Sequence, residues 1–265
     1  MYQQYFGFTK EPFATDIPIE QLFQTASFKE LRTRLDHVLQ HRGIMLVTGE
    51  SGAGKTTALR SLLWSLNTKL FFPVYLPLAT VGVSDFYRQL NRALGGEDHF
   101  FKSVVHRSIQ ELLTNQTQSK NCLPVIVFDE AHLLKEQNFR ELQIIANFRM
   151  DTFLPAVFII AGQPLLSKRL AMQSLESFAQ RITLAYHLGA MNEEETIGYI
   201  RHHLAIAGGT DRIIDGKTCI VVHQKSKGMP RPVGTLMKKA LIAAMSKSAK
   251  SVDVDDVLLA SKELR

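Results

Sequence analysis

Residues Gly49-Glu50-Ser51-Gly52-Ala53-Gly54-Lys55-Thr56 follow the pattern G-x-x-x-x-G-K-[ST], and the chemistry of that pattern is phosphate binding. Glycine lets the backbone curl so that successive N–H groups point inward at phosphate oxygens. A helix starting at the lysine adds the positive end of its dipole. Lys55 then reaches the β- and γ-phosphates of a triphosphate, Thr56 sets its hydroxyl on Mg²⁺, and Thr57 follows on the same first turn. A second constellation stands at Asp129-Glu130, at the end of the apolar run Val125-Ile126-Val127-Phe128. Here two neighbouring carboxylates are expected to divide the work of hydrolysis. Asp129 holds the Mg²⁺ shell, and Glu130 polarises the attacking water as a general base. The two motifs together call for ATP and Mg²⁺.

Such motifs work only where a buried strand leads in and a helix leads out. Ile44 to Thr48 reads as a strand and Lys55 to Leu66 as a helix. Further strands are predicted over Phe72 to Leu78, Pro124 to Phe128, Pro155 to Ala161 and Ile182 to His187. Helices are predicted over Ser27 to His41, Ser84 to Leu94, Val104 to Leu113 and Phe139 to Phe148. Apolar strands alternating with helices imply a parallel sheet covered by helices. After Gly189 the strands stop, and Glu193 to Ala207, Asp215 to Lys227, Pro232 to Lys247 and Val254 to Leu264 look helical. The expected organisation is an aromatic segment over residues 1–28 packing on the core, an α/β nucleotide-binding domain over 29–190, and a helical lid domain over 191–265. The dipeptide Phe100-Phe101 is expected in the core.

Composition narrows the class. The chain has 265 residues, is 45% hydrophobic and carries a net charge of +6. A positive balance suits a nucleic-acid partner through phosphate neutralisation. The longest dense apolar stretch, Phe153 to Gly162, is broken by Pro155 and falls short of the roughly 18 residues that span a bilayer. The N-terminus lacks the basic and apolar regions of a secretion signal, so a cytoplasmic location without membrane is expected. The two cysteines, Cys122 and Cys219, have no ligand neighbours at zinc spacing and read as buried free thiols. Asp129-Glu130-Ala131-His132 spells the name of a helicase class, but those helicases need two such domains and this chain has room for one.

Beyond the two phosphate motifs, the chain resembles AAA+ proteins, which implies a P-loop NTPase sheet of five parallel strands with a small C-terminal helical lid. The resemblance implies three more site residues. Gln163, at the end of Phe158-Ile159-Ile160-Ala161-Gly162, takes the place of the first sensor. Arg181, before the fifth strand, takes that of an arginine reaching into a neighbouring subunit, with Arg169 as its rival. Arg231, in Gly228-Met229-Pro230-Arg231-Pro232, takes that of the second sensor. A guanidinium stabilises the charge that spreads over γ-phosphoryl oxygens in the transition state.

The motifs Tyr5-Phe6-Gly7-Phe8, Glu11-Pro12-Phe13, Gly162-Gln163-Pro164, Gln180-Arg181-Ile182 and Glu193-Glu194-Glu195-Thr196 narrow the resemblance to the ExeA-like ATPases. That family has a secretion branch, with a membrane span and a wall-binding domain after the ATPase. It also has a branch of soluble transposition helpers, similar in role to TnsC, TniB, MuB and IstB. The chain ends soon after the lid and so looks like the second branch. The resemblance then implies an ATPase that assembles as a ring or helical homo-oligomer on double-stranded DNA. It would recruit a transposase, with or without a targeting protein, and disassemble on hydrolysis. Thr80, Ser84, Lys102 and Arg107 are the DNA contacts it implies. Two other readings stand beside it: the soluble part of a secretion motor, and a nucleotide-gated scaffold with little turnover. A clamp loader or replication initiator ranks below these, because zinc-binding cysteines and a helix-turn-helix are lacking.

Overall fold

The computed structural model describes residues 2–77, 82–147 and 154–263. Thr80, one of the expected DNA contacts, lies outside them. The chain divides into two compact units. One comprises Glu30–Glu50 and Lys55–Leu188, and the other Met1–Lys29, Ser51–Gly54 and Gly189–Arg265.

The first unit is built on five parallel strands: β1 (Ile44–Thr48), β2 (Phe71–Pro77), β3 (Leu123–Asp129), β4 (Val157–Gly162) and β5 (Ile182–His187). Their spatial order is β2-β3-β4-β1-β5. β1 and β4 are buried along their whole length and β3 along all but its first residue. This is why these three segments read as unbroken apolar runs: strands covered on both faces have no polar side to show. β5, at an edge, alternates between exposed positions and half-buried or, at Tyr186, buried ones. Helices α2 (Ala26–His41), α3 (Lys55–Trp64), α4 (Val83–Ala93), α5 (Lys102–Thr114), α6 (Glu136–Ala146), α7 (Leu165–Leu170) and α8 (Glu176–Ala179) complete the connections. Phe86, Phe128 and Phe158 stack in series through the core, with centroids 5.8 and 6.3 Å apart.

β4 lies between β3 and β1, so Asp129 emerges one strand away from the strand that leads into the phosphate loop. The end of β4 leaves room for the crossing. A Cβ at Gly162 would stand 3.1 Å from the backbone nitrogen of His132, in the turn that follows β3.

The second unit is helical: α1 (Tyr2–Tyr5) is followed later in the chain by α9 (Glu193–Ile206), α10 (Gly216–Ser226), α11 (Pro230–Ser246) and α12 (Val254–Ser261). α9, α10 and α12 start on the side chains of Asn192, Asp215 and Asp253, each accepting a backbone N–H of the first turn. α11 opens on Pro230 rather than Pro232, because a first helical turn needs no intrahelical donor and so tolerates both prolines.

The N-terminal segment, expected on the α/β domain, belongs to this helical unit. Phe8 and Phe13 are part of its core, the Thr9 N–H donates to the Ala207 carbonyl, and Phe13 stacks on His203. The aromatic side chains find their apolar partners on α9 and α11. Of the two thiols, Cys219 is buried, with its pKa pushed up to about 11 chiefly by burial, and Cys122 is only half-buried. Among the described residues, no helix is long and apolar enough to cross a membrane.

Candidate nucleotide site

At the C-terminal edge of the sheet, Thr48 ends β1 and the chain turns into the phosphate loop. In the α/β unit, the Lys55 ammonium curls back to donate to the carbonyls of Gly49 (2.7 Å) and Glu50 (3.0 Å). It is a buried lysine held at the mouth of the loop by backbone dipoles. One residue on, the Thr56 hydroxyl donates to Asp129 Oδ2 at 2.8 Å. The two residues assigned to Mg²⁺, 73 positions apart in the chain, are therefore already brought together. Asp129 is itself buried, and its other oxygen accepts the Glu130 backbone N–H at 2.8 Å. Hydroxyl and carboxylate oxygens are the donor set a hard cation takes, so these residues fit Mg²⁺.

A third bond to Asp129 was not foreseen: the Tyr75 hydroxyl on β2 donates to Oδ2 at 2.8 Å. The register Pro77↔Asp129 puts Tyr75 on the strand next to β3, two residues short of the carboxylate. Burial, the bond to Asp129 and the charges of Asp129 and Glu130 all raise the tyrosine's pKa, so the hydroxyl stays a donor. The one phenol in an otherwise apolar strand, Phe71-Phe72-Pro73-Val74-Tyr75-Leu76-Pro77, was the available sign.

Within the helical unit, Gly52 carries φ +83° and Gly54 φ +94°, conformations that side chains with a Cβ rarely adopt. The Gly52 carbonyl accepts the Arg231 backbone N–H at 3.2 Å, and a Cβ at Gly52 would stand 3.1 Å from both Arg231 Cβ and Pro232 Cδ. The crown of the loop, Ser51 to Gly54, thus meets the start of α11, where the exposed Arg231 lies. Ala53 is buried. Thr57 is exposed on α3.

Glu130 has a left-handed backbone, φ 54°, an uncommon state for a residue with a side chain. Its carboxylate Oε2 lies 3.4 Å from His132 Nδ1. Gln163 directly follows β4, half-buried, and its carbonyl accepts the Leu166 N–H that starts α7. Arg181, half-buried, precedes β5, and its N–H bonds the Phe178 carbonyl. Arg169 is turned onto its own chain, donating to the carbonyls of His132 and Leu134.

The expected DNA contacts do not share one environment. Ser84 on α4 and Arg107 on α5 are exposed. The Lys102 ammonium is bound 2.6 Å from Oε1 of the buried Glu141, whose Oε2 accepts the Tyr87 hydroxyl at 2.9 Å. Phe100 and Phe101, expected in the core, are 82% and 67% exposed and pack edge to face on each other. The core positions on α5 fall instead to Val105, Ile109 and Leu113, which share one helical face.

Residues 28–170 match a family model described as an AAA domain. Over an alignment of 273 positions, the chain is 30% identical to general secretion pathway protein A of Aeromonas hydrophila, covering 100% of this chain and 48% of that protein. It thus spans about half the length of that relative. Among solved structures, Cdc6p of Pyrobaculum aerophilum superposes with a TM-score of 0.70 at 16% identity, over 95% of this chain and 70% of that one. The Aeropyrum pernix ORC1 protein, solved in complex with DNA, does so with a TM-score of 0.67 at 15% identity, over 95% and 68%. At such identities the likeness is one of fold: a P-loop NTPase sheet of the AAA+ kind.

Proposed function

The chain belongs to the AAA domain family, and from that premise we propose that it binds and hydrolyses ATP and assembles into a homo-oligomer on double-stranded DNA, where it recruits a transposase. The observation that carries the nucleotide reading is the pair Thr56–Asp129, linked at 2.8 Å beside the buried Lys55. Thr56 and Asp129 hold Mg²⁺, which neutralises charge on the phosphate oxygens when bound. Lys55 exchanges the carbonyls of Gly49 and Glu50 for the β- and γ-phosphates, while the loop from Gly49 to Gly54 offers its N–H groups. Glu130 accepts a proton from the attacking water. Gln163 and Arg231 orient toward the γ-phosphoryl group, and Arg181 stabilises its charge from the adjoining subunit. Sharing a site across a junction makes turnover depend on assembly. A nucleotide bound there favours the assembled state only by binding it more tightly than the free one.

The DNA part is supported by the positive net charge and by the fold shared with the DNA-bound ORC1 protein. A second reading, a motor of secretion, is favoured by identity along the whole chain to general secretion pathway protein A.

Glu130→Gln tests the base and the partner together. ATP affinity should stay within about twofold while turnover falls by about a hundredfold or more. With ATP and duplex DNA, the variant should form assemblies that persist in electron micrographs. Unchanged turnover removes Glu130 from the chemistry. Turnover and assembly indifferent to DNA across salt concentrations turn the reading toward secretion.

A further inference from the structure

Glu130 stands in a turn of unusual construction. After Asp129 the backbone takes a left-handed step at φ 54° and closes a single tight turn, in which the Leu133 N–H bonds the Glu130 carbonyl (2.9 Å) and the Leu134 N–H bonds the Ala131 carbonyl (3.1 Å). One turn with two internal bonds holds its geometry weakly by itself. Ala131 and Leu134 are buried, and the carbonyls of His132 and Leu134 need partners there. Both partners are supplied by one side chain: Arg169 on α7 donates Nη1 to the His132 carbonyl and Nη2 to the Leu134 carbonyl, each at 2.6 Å. Its guanidinium lies 5.9 Å from the ring centre of Phe139, the next aromatic after the turn. From the other side the end of β4 presses on the same turn, since a Cβ at Gly162 would come within 2.9 Å of Leu166 Cδ2 and 3.1 Å of the His132 nitrogen.

We propose that Arg169 is a positioning residue that works inside its own subunit, stapling the turn that carries Glu130 to the helix that follows Gln163. The inference rests on the reading of Glu130 as the base. The two groups expected to face the γ-phosphate, Glu130 and Gln163, come from different strands, β3 and β4. Beyond the sheet edge the β3 turn meets α7, and Arg169 is a polar fastener of that contact. The planar fork of arginine meets two carbonyls two residues apart from two separate nitrogens held in a fixed geometry, which the single ammonium of a lysine does not reproduce. With both terminal nitrogens engaged on carbonyls of its own chain, Arg169 is not the arginine offered to a neighbour. That role is left to Arg181.

The experiment uses the full chain with Arg169→Ala and Arg169→Lys. Amide hydrogen exchange at Leu133 and Leu134 should speed up by about tenfold or more in the alanine variant and by less in the lysine variant. ATP turnover should fall by about ten- to a hundredfold with KM within about twofold, because the base is misplaced while the phosphate loop is intact. Mixing Arg169→Ala with Lys55→Ala should restore nothing, since a site with Lys55 intact still carries its own loosened Glu130. Recovery on mixing would place Arg169 in the neighbour's site and overturn the proposal, as would wild-type exchange together with wild-type turnover. If the alanine variant does not fold, the lysine variant decides alone, wild-type behaviour in both readouts being the overturning result. Should the wild-type chain prove to have no ATPase, the reading of the site fails, while the exchange rates still report whether the staple exists.

Discussion

At the scale of single residues, the nucleotide site is drawn together by hydrogen bonds to one carboxylate. Thr56 and Tyr75 share Asp129 Oδ2 while Oδ1 holds the Glu130 N–H, and a buried carboxylate so surrounded points one way. His203 shows the opposite case, a titratable side chain placed where charge is excluded. It is buried on α9, stacked on Phe13 at 5.0 Å and 4.2 Å from the Tyr199 ring centre. Its pKa falls to about 4, first through burial and then through the nearby His202 and Lys238. In the unfolded chain it returns to the ordinary value of about 6.5. A depressed folded pKa means that the contribution is complete above 6.5 and drains away as pH falls toward 4. Linkage puts the loss at about 2 kcal/mol by pH 5, of roughly 3 kcal/mol in all. Thermal melts of the wild type and His203→Gln between pH 7.5 and 4.5 check this. The wild type should lose its advantage, or lose stability faster, as the pH drops through 6. Parallel curves for the two proteins would show that His203 is not the group responsible.

At the scale of elements, what the sequence disclosed follows from what each element buries. The central strands β1, β3 and β4 were legible because burial on both faces leaves only apolar residues, and β5 was found at its observed limits. The six-residue α7 was not legible: Leu165 to Leu170 is too short for a helical period to show against the loop around it. That omission hid the structural use of Arg169. Phe100-Phe101 misled for a related reason, since hydrophobic character alone does not give a direction, and the α5 pattern starts only at Val105. The site divides in the same way. The contiguous motifs announced themselves, whereas Tyr75 and Arg169 act through bonds to residues 54 and 35 to 37 positions away, which spacing does not reveal. Caps, in contrast, are local and carry a local prediction. Asp215 accepts the Thr218 N–H at 2.7 Å, and its bonds to Thr218 hold its pKa below the usual carboxylate value. Asp215→Ala should lower the stability of the protein by about 1 kcal/mol, read from denaturant midpoints, while Asp215→Asn should recover most of that loss. A loss carried equally by both variants would mean that charge, not capping, is what Asp215 supplies.

At the scale of the whole molecule, the proposed division of the arginines would make one site a property of an assembly. Arg231 stands where the crown of the phosphate loop meets α11, and Arg169 is bound to its own backbone. Arg181, just ahead of the edge strand β5, is the remaining member of the expected set. If it serves the neighbouring subunit, Arg181→Ala should abolish turnover without loosening ATP binding, because Lys55, Thr56 and Asp129 of the same chain remain. Lys55→Ala should abolish turnover by losing the phosphates while keeping an arginine to lend. Mixed in equal amounts, the two inactive proteins should then recover roughly a quarter of wild-type turnover, since in a random assembly about one junction in four sets an intact loop against an intact Arg181. The recovery should rise with protein concentration as assembly does, and with duplex DNA at low salt if DNA is the scaffold, fading as salt displaces phosphate contacts. A mixture no more active than its components would confine Arg181 to its own subunit. Recovery that ignores DNA would keep the assembly but remove DNA as its template, which is the result a secretion motor would give.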